Sequence, residues 1–146
     1  MKKLILGLTT ALALFSATAA EVTWLTDAAK AQTQAKAEKK LVMLDFTGSD
    51  WCGWCIKLHK EVFSQPEFVE YANKNIVAVE VDFPNKKQLS AEQKSANDAL
   101  AKKYGIQGYP TLIILDGEGK KVASMGYVKG GAKAFIAALG EQSCFS

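Results

Sequence analysis

The chain has 146 residues, of which 49% are hydrophobic and 23% are charged, a composition typical of one compact folded domain and not of a disordered or fibrous chain. A domain of this size buries roughly two-thirds of the surface of its unfolded chain, so it needs no disulfide to hold a core. The formal net charge of +3 falls to +1 when the two positive charges of Lys2 and Lys3 are removed, and this small excess gives no reason to expect a nucleic-acid partner.

The start of the chain has the three parts of an export signal. Residues 1–3 are basic at Lys2 and Lys3, residues 4–15 are apolar, and residues 17–20 are small. The apolar run is shorter than the roughly 20 residues that a membrane-spanning helix needs. We therefore expect residues 1–20 to be a cleavable signal peptide and residues 21–146 to form one domain. The protein is expected to be exported, to the periplasm or elsewhere, with no stable membrane anchor after cleavage.

The first half of the domain alternates between helix and strand patterns. Thr26 is the predicted N-cap of an exposed helix, because the run that follows it is rich in Ala, Lys and Gln. The run LVMLDF is nearly all apolar, which is typical of a strand buried on both faces of a sheet. Ser64 and Glu67 have the spacing of a capping box. In chain order, the predicted elements are a helix over 27–40, a strand over 41–46, a helix over 52–63, a helix over 64–71 and a strand over 75–83.

The second half of the domain adds a helix, a hairpin and a last helix. Ser90 and Gln93 form a second candidate capping box. The sequence Asp-Gly-Glu-Gly at 116–119 tolerates positive φ and predicts a turn between two paired strands. In chain order, the predicted elements are a helix over 90–104, strands over 111–115 and 120–128, and a helix over 132–139. This order predicts a single α/β domain with a central mixed β-sheet flanked by helices.

Two cysteines lie three positions apart in TGSDWCGWC, residues 47–55, directly after the first strand. If a helix begins at Cys52, its thiol lies among unpaired amide N–H groups at the positive end of the helix dipole, which lowers the thiol pKa. Cys55 is then on the same helix face, within reach of a disulfide with Cys52 and more shielded from solvent. Cys52 would attack a disulfide of another protein, and Cys55 would resolve the mixed disulfide.

Two other uses of the cysteines are open at this point. As a structural staple, so short a loop would contribute only roughly 2 kcal/mol. As a zinc site, the chain could supply four N or S ligands, Cys52, Cys55, His59 and Cys144. There is no second Cys-x-x-Cys pair, and a lone His on a helix is more often packed or half-exposed, so we expect no metal site. Cys144 is expected to be an exposed free thiol, with an intermolecular bridge or an accessory redox group as alternatives.

Three segments together resemble the thioredoxin superfamily: VMLDF, then WCGWC at a strand-to-helix junction, then YGIQGYPTLIIL. The resemblance covers about residues 24–139 and implies a thioredoxin-like fold and a thiol-disulfide oxidoreductase. It also implies that Pro110 is preceded by a cis peptide bond and faces the disulfide, with Tyr109 lining the substrate groove. Asp45 resembles the family's buried acid beneath the resolving cysteine, which accepts its proton.

The sequence departs from ordinary thioredoxins around this acid. The segment from Asp45 to Cys52 is one residue longer, and the strand over 76–82 has no lysine to partner the carboxylate. A hydrogen-bonded structural carboxylate is therefore the alternative role for Asp45. The other two prolines, Pro66 and Pro84, are expected to be trans, since cis bonds are only about 5–6% of X-Pro bonds in folded proteins.

The residues around the cysteines indicate how substrates are bound and in which direction electrons flow. Trp51 and Trp54 are expected to form the exposed rim of a peptide-binding surface. The Gly53-Trp54 dipeptide carries no positive charge to stabilise a thiolate, which favours a reductase or an isomerase. We expect protein thiols and disulfides as substrates, a separate redox partner for recycling, and no cofactor. The alternative function is a redox-inert binding or chaperone-like module that uses the same tryptophan-rimmed groove.

Overall fold

The computed structural model describes residues 20–143, so most of the predicted signal peptide and Cys144 lie outside the described residues. The strands are β1 (Trp24–Leu25), β2 (Leu41–Thr47), β3 (Ile76–Asp82), β4 (Thr111–Leu115) and β5 (Lys121–Met125). The helices are α1 (Ala28–Glu38), α2 (Gly53–Leu58), α3 (Pro66–Asn75), α4 (Ala91–Tyr104) and α5 (Gly131–Ser143). A π-helical turn (His59–Phe63) continues α2. Over this part of the chain, no helix combines the length and the apolar character that a membrane span requires.

The strands form one mixed sheet of five strands in the order β1-β3-β2-β4-β5, which confirms the predicted α/β fold class. β3 pairs in parallel with both β1 and β2, whereas β4 pairs antiparallel with β2 and β5. β2 is the central strand, and this position explains its nearly continuous apolar sequence. The structure adds β1, which was not predicted because two residues carry no periodic pattern.

The sheet separates two apolar layers, and each layer takes alternate residues of the strands. On one face, Met43 and Leu112 pack with α3, α5 and the π-helical turn around Phe135. On the other face, Val42 and Phe46 pack with α1 and α4. Complete burial of a large apolar side chain contributes roughly 1.5–3 kcal/mol. The central strand is therefore fixed from both sides, and it provides a rigid base for the loop that follows it.

Two of the predicted helix starts differ from the structure. Asp27, not Thr26, caps α1, because its carboxylate accepts hydrogen bonds from the N–H groups of Ala29 (2.9 Å) and Lys30 (3.0 Å). The capping box at Ser64 is wrong: its hydroxyl donates to the carbonyl of His59 at 3.0 Å instead. α3 begins at a proline, which is suited to a first helical position because it lacks an N–H.

Of the two hydrogen bonds expected of the capping box at Ser90 and Gln93, only one is present. Ser90 caps α4 and accepts a hydrogen bond from the N–H of Gln93 at 3.1 Å. The side chain of Gln93 does not reach back to Ser90. It donates instead to the carbonyl of Thr26 (3.0 Å) and to Asn97 Oδ1 (2.8 Å), and this contact joins α4 to the start of α1.

Candidate active site

The redox pair lies at the start of α2, as the sequence predicts. Cys52 is the N-cap residue with extended backbone, and the helix begins at Gly53. The N–H of Cys55 donates to Sγ of Cys52 at 3.2 Å, and the two cysteines form a disulfide with 5.2 Å between their Cα atoms. First-turn amides directed at a sulfur favour its thiolate form. Gly53 is exposed, and an added Cβ would meet nothing within 4 Å, so space does not require a glycine there.

The π-helical turn and its neighbours anchor the redox pair to the core. Leu58 at the end of α2 is 1% exposed, and Val62 and Phe63 in the turn are buried with it. The rings of Phe63 and Phe135 meet edge to face with centroids 5.8 Å apart. The helix that carries the cysteines is thus fixed on its inner face, while its outer face remains open.

The two cysteines are covered to nearly the same extent, with 7% of Cys52 and 5% of Cys55 exposed. The expected difference in shielding is therefore small. Their surroundings differ instead, because Cys55 lines a cavity that also contains Asp45. The predicted difference in role between the two thiols would therefore come from the groups around each sulfur.

An aromatic rim, which we define as Trp51, Trp54, Tyr109 and Tyr127, consists of the two tryptophans next to the cysteines in sequence and the tyrosine that each of them contacts. Trp51 is 46% exposed and Trp54 is 58% exposed, in agreement with the sequence. The ring of Trp51 meets Tyr109 edge to face at 5.8 Å, and Trp54 packs on Tyr127 at 5.1 Å. Lys57 Nζ lies 5.0 Å from the ring centroid of Trp54 and 5.3 Å from that of Tyr127.

Tyr109, one of the two predicted groove residues, contacts Trp51 of the aromatic rim although the two are far apart in the sequence. The Tyr109–Pro110 peptide bond is cis, as the resemblance implies, and no other cis bond is found among residues 20–143. The ring of Tyr109 packs on Phe83 at 5.4 Å as well as on Trp51. The structure thus places Tyr109 beside the tryptophan that precedes Cys52.

The loop before Cys52 is tied to the segment after β3 by two aspartates that the sequence analysis missed. Asp82 accepts hydrogen bonds from the N–H (2.9 Å) and the hydroxyl (2.6 Å) of Ser49. Asp50 accepts hydrogen bonds from three consecutive backbone N–H groups, those of Asn85 (2.9 Å), Lys86 (2.7 Å) and Lys87 (3.0 Å). The hydrogen bonds from these amides, first that of Asn85, lower the pKa of Asp50. Trp51 Nε1 adds a bond to the carbonyl of Phe83 at 2.7 Å.

Asp45 lies in the same cavity as Cys55, which agrees with the position that the resemblance implies. Its side chain is buried, and its Oδ1 has no hydrogen-bond partner. It lines a cavity of about 410 Å³ together with Cys55. Burial raises the pKa of Asp45 to about 8, and the negative charges of Glu80 and Asp82 add to the shift. No protein group supplies a hydrogen bond to Oδ1, and both the proton-accepting role and the structural role of Asp45 stay predictions.

Glu80 is a functional candidate that the sequence analysis did not identify. It is opposite Asp45 in the parallel pairing of β2 and β3, on the strand noted for having no lysine. Burial and the charge of Asp82 raise the pKa of Glu80, whereas the charges of Lys87 and His59 act in the opposite direction. In the sequence, Glu80 differs from its neighbours as a charged residue within an apolar strand. Its position opposite Asp45 is known only from the register of β2 and β3.

The candidate zinc ligands are not arranged as a metal site in the described part of the chain. Cys52 and Cys55 are bonded to each other, and Cys144 lies outside the described residues. His59 is exposed, packs edge to face on Phe63 at 6.3 Å, and has Nδ1 3.1 Å from the hydroxyl of Ser64. Within residues 20–143, no three His, Cys, Asp or Glu side chains are grouped so that they could hold a metal ion.

The fold and the paired cysteines define a thioredoxin-like protein. The family model for the thioredoxin-like domain matches residues 28–143, and the chain belongs to this family. Disulfide bond reductase DsbH of Chlamydia pneumoniae is 41% identical over 108 residues, which are 74% of this chain and 65% of that protein. Thioredoxin-related protein DsbJ of the same organism is 30% identical over 105 residues, which are 72% of this chain and 30% of that protein.

A solved structure supports the same relationship. The DsbH oxidoreductase superposes with a TM-score of 0.81 at 34% identity, covering 99% of this chain and 96% of that chain. In the sequence alignments the chain spans less than two-thirds of the length of DsbH and DsbJ. The similarity therefore extends over the thioredoxin-like domain and its redox helix.

Proposed function

We propose that this protein is a thiol-disulfide oxidoreductase that reduces disulfides of other proteins with the Cys52–Cys55 pair. The observation that carries the proposal is the disulfide at the N-terminus of α2, where the Cys55 N–H donates to the sulfur of Cys52. The similarity to DsbH, a disulfide bond reductase, supports the direction of electron flow. So does the Gly53-Trp54 dipeptide, which has no positive charge.

The reduction takes two exchange steps. The Cys52 thiolate attacks one sulfur of the client disulfide; that S–S bond breaks, a mixed disulfide forms, and the first client sulfur leaves as a thiolate that takes a proton from water. Cys55 then gives its proton to Asp45 and attacks Sγ of Cys52. The mixed disulfide breaks, and the second client thiolate leaves. The client has gained two electrons, and the Cys52–Cys55 disulfide has formed.

The aromatic rim is the proposed client-binding surface. Trp51 and Trp54 offer large exposed rings beside the disulfide, and aromatic side chains with a polar handle are well suited to binding partly apolar segments. Tyr109 and Pro110 complete the groove on the other side of Trp51. An extended segment of a protein that contains a disulfide is the occupant that this arrangement favours.

Residues 1–20 have the pattern of an export signal, which supports an exported setting. We place the protein in the periplasm or another exported compartment. A reductase in an oxidising compartment must be re-reduced after each cycle, because its disulfide is the product of the reaction. A second redox protein that donates two electrons is therefore the required partner.

Serine variants of the two cysteines test the mechanism. With insulin as the client, the wild-type protein should reduce disulfides, Cys52→Ser should lose this activity, and Cys55→Ser should accumulate a mixed disulfide that dithiothreitol releases. Unchanged activity in Cys52→Ser would exclude the mechanism. Equal client affinity in wild type and Cys52→Ser, with no turnover in either, would instead favour a redox-inert binding module.

The reduction potential of the pair tests the direction of electron flow. Equilibration in glutathione or dithiothreitol buffers, followed by tryptophan fluorescence, should give a value near the roughly −270 mV of thioredoxin. A value near roughly −180 mV would indicate an isomerase, and one near roughly −120 mV would indicate an oxidant that inserts disulfides.

A further inference from the structure

One face of the sheet changes from apolar to acidic along the strands. Asp45 and Glu80 are directly paired across β2 and β3, and paired residues of adjacent strands project from the same face. Two residues earlier on each strand, this face carries Met43 and Ala78, which are buried in the core. The acidic pair therefore occupies the end of the face that lies beneath α2.

Both acids border the cavity of about 410 Å³ that Cys55 also lines. Asp45 is 7% exposed, and its Oδ1 has no hydrogen-bond partner. Glu80 is only partly buried. A cavity of this size with polar walls holds water. Glu80 is therefore the acid of the pair with access to solvent, and Asp45 is the enclosed one.

We propose that Glu80 is a positioning residue that acts through Asp45 in proton transfer. Each time Asp45 accepts the proton of Cys55, Glu80 accepts the proton that Asp45 releases. This inference rests on the proposed function, in which Cys55 must lose a proton in each cycle. The S–H bond of Cys55 breaks as an O–H bond forms on Asp45. The O–H bond on the other oxygen of Asp45 breaks, and the proton passes through cavity water to Glu80 and then to solvent.

The need for a second carboxylate follows from the state of the first. Because the pKa of Asp45 is raised to about 8, this side chain holds a proton at neutral pH and cannot accept another while it keeps its own. A lysine opposite it would favour the ionised form, whereas a second carboxylate disfavours simultaneous ionisation of both groups. The pair then titrates as a unit, and its ionised member is the more solvated Glu80.

Charged and titratable groups face this pair from several elements. They are Cys55 on α2, His59 and Lys60 on the π-helical turn, Asp82 on β3 and Lys87 in the loop after β3. On β4, the residue opposite Asp45 is Leu112, which cannot titrate. Asp82 therefore acts to keep a proton on the pair, whereas Lys87 and His59 act to lower the pKa of Glu80.

The resolving step can be measured alone with a nitrothiobenzoate mixed disulfide on Cys52, because attack by Cys55 releases the coloured thiolate. In wild type, the rate should stay high below the pKa of Asp45 and show two inflections with pH. In Glu80→Gln, the rate should follow a single ionisation, fall about tenfold below wild type near pH 6, and converge with wild type near pH 9. The matched control is Glu70→Gln, an exposed carboxylate paired with Lys74, which should match wild type throughout.

A double variant separates action through Asp45 from a general structural effect. If Glu80 acts through Asp45, adding Glu80→Gln to Asp45→Asn should change the rate no further. In the oxidised protein, carbon-13 NMR of the Asp45 carboxyl should show a lower pKa in Glu80→Gln than in wild type. Identical pH profiles for wild type and Glu80→Gln, or additive losses in the double variant, would overturn the inference. The proposed function would survive those results, since other outcomes contradict it: an absent redox transition, an active Cys52→Ser, or the reduction potential of an oxidant.

Discussion

The two sides of the disulfide differ in both chemistry and construction. On the outer side, the aromatic rim comes from loops and from the exposed face of α2, and Trp51 and Trp54 are about half exposed. On the inner side, the cavity beneath Cys55 has its acids on the two central strands β2 and β3. In the proposed mechanism, recognition of a client and removal of a proton are thus carried by separate elements. Variants on one side should leave the function of the other side unchanged.

The largest effect is expected on the inner side, for Asp45→Asn. A carboxyl whose pKa rises from 3.8 to about 8 on folding favours the folded state most at low pH, and this contribution is lost as pH rises from 3.8 to about 8. Wild-type stability should therefore fall across this window, by on the order of a few kcal/mol in total. The Asp45→Asn variant should lack that slope. Urea unfolding of the oxidised proteins between pH 4 and pH 9 measures it.

The control for this measurement is Glu70→Gln, which changes an exposed carboxyl. Its stability should change with pH as that of wild type does. The difference in slope is the result of interest, because a buried Asn amide changes the absolute stability equally at every pH. Parallel curves for wild type and Asp45→Asn would contradict the raised pKa.

A smaller effect is expected on the outer side, for Trp54→Ala. The ring is more than half exposed, so its removal should change stability little. It should raise KM for a protein client about fivefold to tenfold, the range for loss of an aromatic contact, and leave the reaction with dithiothreitol unchanged. Ile56→Ala, which removes another half-exposed apolar side chain of α2, is the matched comparison. An equal loss with the protein client and with dithiothreitol would place Trp54 in the chemistry and not in client binding.

The smallest effect is expected for Asp50→Ala, at the junction of the two sides. Removing the carboxylate leaves the amides of residues 85–87 without their acceptor, so their hydrogen exchange should become several-fold faster. Asp50→Asn keeps one acceptor oxygen and should show a smaller increase. The pH profile of the resolving step should stay that of wild type in both variants. A shifted profile would mean that the loop, and not β2 and β3 alone, sets the proton equilibrium.

Local patterns were sufficient to predict most of the fold. The apolar run of β2, the turn at 116–119 and the helix start at Cys52 each depend on neighbouring residues. The cis bond before Pro110 came from the family resemblance and is confirmed. The roles of Cys52 and Cys55 stay predictions for the experiments above.

The features that were missed depend on contacts between distant segments. Whether Glu80 faces Asp45 depends on the register of two strands, and neither strand's own sequence specifies it. The amides that bind Asp50 are 35 to 37 positions away. Ser64 has the spacing of an N-cap residue. However, the π-helical turn ends there, and the Ser64 hydroxyl donates to the carbonyl of His59 instead.

The short separation of Cys52 and Cys55 has a thermodynamic consequence. Three positions apart, the two sulfurs can meet in an unfolded chain, whereas their surroundings form only on folding. The pair therefore has one reduction potential in the unfolded chain and another in the native domain. These states form a closed cycle, so the difference between the potentials equals the difference in unfolding free energy between oxidised and reduced protein, about 1.4 kcal/mol for each 30 mV. To be more reducing than a free peptide of the same sequence, this domain must be more stable oxidised than reduced.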